Sequence, residues 1–153
     1  MYNILLAFSF YWLANLILWI PWTINPYLGM TIMLTIGPFL WGLAVYYCLV
    51  RYKGKNILKG ALLNAAIFTI VAVLMDYVFF VLIRDSLEDL YHPTTFYAYG
   101  FLIALPFLEV WIFRKLLNKK QRIIKSKDFL SMAFLGAFSL LLLIAIIKLN
   151  IQV

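Results

Sequence analysis

One apolar stretch constrains the fold more than any other: the run Gly60 to Ile83, GALLNAAIFTIVAVLMDYVFFVLI, which is 24 residues long and contains a single acid, Asp76. At ~1.5 Å of rise per residue, a helix of this length crosses a hydrocarbon layer of ~30 Å. Stepping along it at ~100° per residue reveals one stripe of small side chains that ends in the acid. The stripe consists of Ala61, Ala65, Thr69, Ala72 and Asp76. Because small faces let helices approach closely, we expect the stripe to face another helix, with Asp76 held away from lipid.

The composition extends this interpretation to the whole chain. Of its 153 residues 66% are hydrophobic and 12% are charged, whereas a soluble domain carries roughly 25% charge. The sequence therefore predicts an all-α integral membrane protein, a compact bundle of five transmembrane helices forming a single transmembrane domain over residues 1–153. The predicted spans cover about 4–20, 28–50, 60–83, 96–113 and 129–147.

The first span is the weakest of the five. Its 17 residues include Ser9, Tyr11 and Asn15, so a re-entrant or interfacial segment is the alternative. Pro21 is predicted to close it, and a short uncharged turn follows. A cleaved signal peptide is not expected, because no basic residue precedes the apolar run.

Basic residues predict the orientation. Eleven of the thirteen lie in two loops, after spans two and four. They are Arg51, Lys53, Lys55, Lys59, Arg114, Lys115, Lys119, Lys120, Arg122, Lys125 and Lys127. Because such loops stay cytoplasmic, the N-terminus is predicted inside and the C-terminus outside, in the cell (inner) membrane.

Two prolines interrupt spans two and four at similar depth. Pro38 and Pro106 each leave one helical carbonyl without its donor, and both are predicted to kink their helices. Paired broken helices at equal depth mark binding sites in transporters. Pro38 and Pro106 are therefore kink or hinge candidates, and the alternative is ordinary kinking that serves packing.

Asp76 is the principal candidate for chemistry, because no Lys or Arg lies inside any span to neutralise it. An acid in this setting binds a proton or cation, or anchors a polar ligand. Alternatively, it is a neutral hydrogen-bonded group that fixes helix register. At similar depth the other spans offer partners in Asn15, Thr31, Thr35 and Tyr99, with Tyr11 nearby.

A second polar level lies near the cytoplasmic end, where Glu109 and Asn64 stand at similar depth in spans four and three. Glu109 is either an inner gate residue or an acid that reaches toward Arg114 and Lys115 at the membrane surface. Asn64 is included with it as a ligand- or ion-binding candidate.

The connector after span three, Arg84 to Pro93, is acidic and predicted to lie outside. Ser86 followed by Asp89 has the form of a capping box, which predicts a short interfacial helix. Arg84 and Glu88 have i, i+4 spacing. Glu88 and the only histidine, His92, are weak metal candidates, and we expect no metal site.

No cofactor is expected. No motif for phosphate binding, haem or flavin occurs, and one histidine excludes bis-histidine haem within one chain. The single cysteine, Cys48, excludes an internal disulfide.

The expected partners are the lipid bilayer, anionic lipid headgroups at the basic loop 114–127, and either a second copy of the chain or a membrane partner subunit. Nucleic acid is not expected, because the basic residues have a topological role.

Three functional classes remain open. The first is a small transporter, permease-like protein or ligand-binding bundle with a buried polar site around Asp76. The second is a non-catalytic accessory or scaffold subunit of a membrane complex. The third, less favoured, is a lipid-modifying enzyme that uses Asp76 and His92 as acid and base. A ligand-sized cavity at Asp76 would favour the first class over the second.

Overall fold

Five long apolar helices dominate the structure, a computed structural model that describes residues 1–117 and 125–149. The helices are α1 (Tyr2–Ile24), α2 (Pro26–Val50), α3 (Ile57–Asp76), the four-residue α4 (Leu87–Leu90), α5 (Pro93–Leu117) and α6 (Ser126–Lys148), and a π-helical segment, Tyr77–Ile83, continues α3. No strand occurs within the described ranges. The prediction of an all-helical chain with five long apolar helices is confirmed for them.

The first helix ends later than predicted. Pro21 lies inside α1, which continues to Ile24, so the prediction that Pro21 closes the helix was wrong. The break is the single extended residue Asn25, which precedes Pro26, and the residue before a proline avoids the helical conformation. The Asn25 side chain then accepts a hydrogen bond from the Tyr27 amide at 2.8 Å and caps α2.

All five long helices begin two or three residues before the predicted spans, and the reason is clearest for α3 and α5. Asn56 caps α3 by accepting from the Leu58 amide at 3.0 Å, so the helix starts at Ile57 instead of Gly60. Helix α5 starts at Pro93, because the fixed φ of proline suits a first helical position. It runs on to Leu117, with backbone dihedrals outside the helical range at Phe113.

Helix α1 occupies the middle of the bundle and packs against α2, α3 and α6, while α5 packs against α2 and α3. Helices α1 and α6 approach each other closely at Ser9 and Gly136. A Cβ atom added at Gly136 would lie 2.7 Å from the Ser9 hydroxyl. That hydroxyl donates to the Met132 carbonyl of α6 at 2.6 Å, so a polar contact accompanies the close packing.

The small stripe of α3 faces the interior, as the sequence predicted. Ala61, Ala65 and Ala72 are 0%, 4% and 3% exposed, whereas Ala66, one position along, is exposed. The stripe contributes to two buried apolar clusters, with Ala61 in the first and Ala72 in the second. One contains Leu6, Val45 and Phe68, and the other contains Tyr11, Trp12, Ala72 and Phe79.

The outer surface of the bundle is also apolar. Large apolar side chains with most of their area exposed occur on all five long helices, including Leu34, Phe39, Trp111, Phe134 and Leu141. A monomeric protein in water rarely exposes apolar patches on this scale.

Candidate functional site

The Asp76 carboxyl lies between two tyrosines from different helices. The Tyr11 hydroxyl of α1 is 2.5 Å from one carboxyl oxygen, and the Tyr99 hydroxyl of α5 is 2.6 Å from the other. Of the four partners suggested by the sequence, Tyr99 bonds Asp76 directly. Tyr11, expected only in the vicinity, is a direct partner too. Three helices therefore meet at one acid.

Asn15 lies one turn above Tyr11 on α1 and belongs to the same region. Its side-chain amide donates to the Tyr11 carbonyl at 3.0 Å, which fixes the side chain beside the acid. Asn15 and Asp76 both line the cavity described below.

The π-helical segment begins immediately after Asp76. Its last turn is closed by a hydrogen bond from the Arg84 amide to the Phe79 carbonyl at 3.0 Å, five residues back. A π-turn changes the direction of every side chain that follows it, and such turns are frequent at functional sites. Here the segment turns Phe79, Phe80 and Arg84 toward the space beside Asp76.

That space is a cavity of about 460 Å³. Its walls come from α1, α2, the end of α3, the π-helical segment, the connector and α5. They consist of Asn15, Leu18, Trp19, Trp22, Met30, Met33, Asp76, Phe79, Phe80, Arg84, Asp89, His92, Thr94, Thr95 and Ala98. Because Trp22, His92 and Thr94 are exposed, the cavity reaches the surface at the end of the bundle that carries the connector. Its volume is within the range of small-molecule sites, ~300–1,000 Å³.

Arg84 covers three of the aromatic walls. Its guanidinium carbon lies 5.0 Å from the ring centre of Trp19, 5.8 Å from that of Phe79 and 5.6 Å from that of Phe80. These distances are typical of cation–π contacts. The sequence did not suggest this cluster, because no spacing rule relates Trp19 to Arg84.

The connector holds Arg84 in place with an ion pair. An Arg84 guanidinium nitrogen lies 2.9 Å from the Asp89 carboxylate, so Asp89 takes the role that the spacing had suggested for Glu88. Ser86 donates to the same carboxylate at 2.7 Å, and the Thr95 hydroxyl donates to the Asp89 carbonyl at 3.3 Å. The predicted short helix exists as the single turn α4.

His92 lines the cavity but makes a local contact. Its Nδ1 lies 2.8 Å from the Thr94 hydroxyl. No hydrogen bond joins it to Asp76 within residues 1–117 and 125–149. Those ranges also contain no group of three or more His, Cys, Asp or Glu side chains that could hold a metal ion, at Glu88 and His92 or elsewhere.

Thr31 and Thr35 do not join the site. Both are exposed on α2, and each hydroxyl donates to a carbonyl of its own helix, Thr31 to Tyr27 at 2.8 Å and Thr35 to Thr31 at 2.7 Å. A threonine satisfied by its own helix needs no partner across the bundle. Their depth was suitable, but their face of α2 points away from Asp76.

Glu109 and Asn64 are buried near the other end of the bundle. Asn64 accepts a hydrogen bond from the Asn3 side chain at 2.8 Å and is 1% exposed. Glu109 is 5% exposed, and one carboxyl oxygen would lie 3.4 Å from a Cβ added at Gly42 of α2. Glu109 therefore points into the bundle, and within the described residues it forms no ion pair with Arg114 or Lys115.

Both prolines lie within their helices, Pro38 half-buried in α2 and Pro106 fully buried in α5.

The basic loop 114–127 is described at its two ends only, since residues 118–124 lie outside the described ranges. At its far end the Lys125 amide donates to Asp128 at 3.1 Å, and Asp128 lies 3.8 Å from Arg51.

Comparisons with protein-family models, with curated protein sequences and with solved structures give no match for this chain. The functional argument therefore depends on the geometry of the site.

Proposed function

We propose that the chain is a multi-pass protein of the cell (inner) membrane that binds a small ligand in the cavity at Asp76 and moves it as a small transporter or permease does. The observation that carries the proposal is the cavity, which extends from the surface to the half-buried carboxyl of Asp76. A protein whose polar residues served packing alone would have a filled interior at this point.

The membrane setting is supported by the five apolar helices and by the apolar outer surface, which lipid would cover. In the proposed orientation the N-terminus is cytoplasmic, and the two basic loops lie on the same side. The cavity then opens outward, beside the connector. The basic loop would contact anionic headgroups on the cytoplasmic side.

Movement of a ligand requires helices that bend. In the proposal, Pro38 and Pro106 are kink points, because each removes the hydrogen bond to the carbonyl four residues earlier, at Leu34 and Leu102. Glu109 and Asn64 lie closer to the cytoplasmic end of the bundle. In the proposal, they would contact the ligand after it leaves Asp76 and moves toward the cytoplasm. In the proposal, a second copy of the chain would supply the remaining walls of the path that the ligand follows.

An accessory or scaffold subunit is the second candidate. It is favoured by one specific observation: both oxygens of Asp76 already have hydroxyl partners. A carboxyl satisfied in this way could act only as a link between helices. A lipid-modifying enzyme has less support, because His92 and Asp76 are each bonded to other groups.

Thiol labelling in intact cells tests the ligand site. In a Cys48→Ala background, a cysteine replaces Met33, which lines the cavity, or its neighbour Leu34, which is 67% exposed and faces away from the bundle. A membrane-impermeant thiol reagent added outside should label Met33→Cys and leave Leu34→Cys unlabelled. The two positions share one depth, so only access through the cavity separates them.

Two further positions complete the experiment. Glu88→Cys should label from outside, whereas Lys55→Cys should label only after the cells are opened. If Glu88→Cys labels while Met33→Cys does not, the cavity is closed to water and the ligand site is refuted. Labelling of Lys55→Cys from outside would reverse the orientation.

A further inference from the structure

We infer that the ligand of the Asp76 cavity is an amphipathic organic monocation, such as an alkyl- or arylammonium. The inference rests on the proposed ligand site and adds the chemistry of its ligand. It follows from the charges of the lining residues, from the aromatic walls and from the position of Arg84.

Among the acidic and basic residues that line the cavity, Asp76 has no partner of opposite charge within the described residues. Asp76, Arg84 and Asp89 line it, and Arg84 and Asp89 neutralise each other at 2.9 Å. Within the described part of the chain, the partners of Asp76 are two neutral hydroxyls and no cation. A cationic ligand would supply the missing charge, and in a site walled by apolar groups an opposite charge has a strong effect.

The aromatic walls are arranged to hold a cation. Trp19, Phe79 and Phe80 present their rings to the guanidinium of Arg84 at 5.0–5.8 Å. Rings in this arrangement accept an ammonium group equally well, because the attraction comes from the negative ring face. The position of Arg84 shows that these three rings can face one cation together.

The remaining walls define the rest of the ligand. Leu18, Met30, Met33 and Ala98 contribute aliphatic and thioether surface, which matches apolar substituents and gives a small inorganic ion little to coordinate. Hard metal cations take six or more oxygen ligands, whereas here both oxygens of Asp76 are engaged by hydroxyls. An organic cation needs only a nearby charge and apolar surroundings.

Arg84 acts as an internal competitor in this site. It covers the rings that the ligand's cation would use, and its positive charge lies in the same cavity. Replacing Arg84 by glutamine shortens the side chain, keeps it polar and removes the charge. Arg84→Gln should therefore strengthen binding of a cation, whereas loss of a purely structural arginine would weaken it.

The test uses two probes of equal shape, phenyltrimethylammonium and its neutral isostere tert-butylbenzene. Binding is measured by calorimetry on the full chain in lipid nanodiscs, with empty nanodiscs subtracted. We expect wild type to bind the cation roughly tenfold more tightly than the isostere, because the Asp76 charge favours the ammonium. Asp76→Asn should abolish that preference, and Asp76→Glu, which keeps the charge, should retain it.

Matched variants test the walls. Trp19→Leu should weaken cation binding by more than it weakens isostere binding, while Trp111→Leu, on the outer surface of α5, should change neither. Arg84→Gln should tighten cation binding roughly threefold or more, since the rings are uncovered and Asp89 loses its cationic partner. Folding of each variant is checked by size-exclusion chromatography, and Trp19→Leu and Arg84→Gln carry the test if Asp76→Asn fails to fold.

The outcomes separate the two proposals. Equal binding of both probes, unaffected by Asp76→Asn, overturns the cationic ligand and leaves the ligand site standing. If neither probe binds while Met33→Cys is labelled from outside, the cavity is open and the cationic ligand is refuted. If neither probe binds and Met33→Cys is unlabelled, both proposals fail.

Discussion

The Tyr11 hydroxyl lies 2.5 Å from a carboxyl oxygen of Asp76, which joins the central helix α1 to the start of the π-helical segment. Tyr11 is 3% exposed, so this bond is made away from solvent. Because α1 also packs against α2 and α6, the position of Asp76 is tied to most of the bundle. The same bond can hold the acid in place for a ligand or lock helices together, and substitutions distinguish these roles.

Removing either tyrosine hydroxyl should destabilise the fold modestly. Tyr11→Phe and Tyr99→Phe each leave one oxygen of Asp76 without its donor and should lower the free energy of unfolding by about 1 kcal/mol. Tyr97→Phe is the control, because Tyr97 is on the same helix as Tyr99 and is 76% exposed. Thermal unfolding in detergent measures all three. A loss for Tyr97→Phe equal to that for Tyr99→Phe would contradict the assigned bond.

Asp76→Asn should fold and lose ligand binding. The amide keeps one acceptor oxygen, and its NH₂ group can donate to a tyrosine oxygen, so both helix contacts survive. We expect the free energy of unfolding to change by less than about 1 kcal/mol, with binding of the cationic probe reduced. A variant that folds and binds as wild type does would support the scaffold alternative, in which Asp76 only fixes helix register.

The sequence was sufficient to predict the five helices and the inward face of α3, because both follow from hydrophobic periodicity. It also identified Tyr99 as a partner of Asp76 by depth. Depth does not determine the face of a helix, which is why Thr31 and Thr35 were included and yet point outward.

The cavity walls could not be predicted for a different reason. A regular α-helix would place Arg84 eight residues, roughly 12 Å, beyond Asp76, with its direction set by ~100° steps. The π-helical segment changes that direction, and its i to i−5 hydrogen bonds leave no recognisable pattern in an apolar run. The cluster of Arg84 with Trp19 and Phe80 depends on this turn.

Overpacking the small stripe should destabilise the bundle. Ala65 is 4% exposed, so Ala65→Phe forces a ring into the interior of the bundle and should cost ~1–3 kcal/mol. Ala66→Phe is the matched control, since Ala66 is the next residue of the same helix and is exposed. Denaturation in detergent compares the two. Equal stability of Ala65→Phe and wild type would contradict the close packing of this face.

The contact of α1 with α6 gives the most sensitive packing prediction, because a single methyl group decides it. At Gly136 an added Cβ would lie 2.7 Å from the Ser9 hydroxyl and 3.0 Å from the Ser9 Cα. Gly136→Ala must therefore push the helices apart and weaken the 2.6 Å bond from Ser9 to Met132.

We expect Gly136→Ala to cost ~1–3 kcal/mol, as other overpacked interiors do. Gly100→Ala is the control, because a Cβ at Gly100 has no neighbour within 4 Å among the described residues. Alanine there should be neutral or stabilising by up to ~1 kcal/mol, owing to its higher helix propensity. Thermal unfolding of both variants in one detergent measures the difference. If Gly136→Ala is as stable as Gly100→Ala, α6 does not approach α1 this closely.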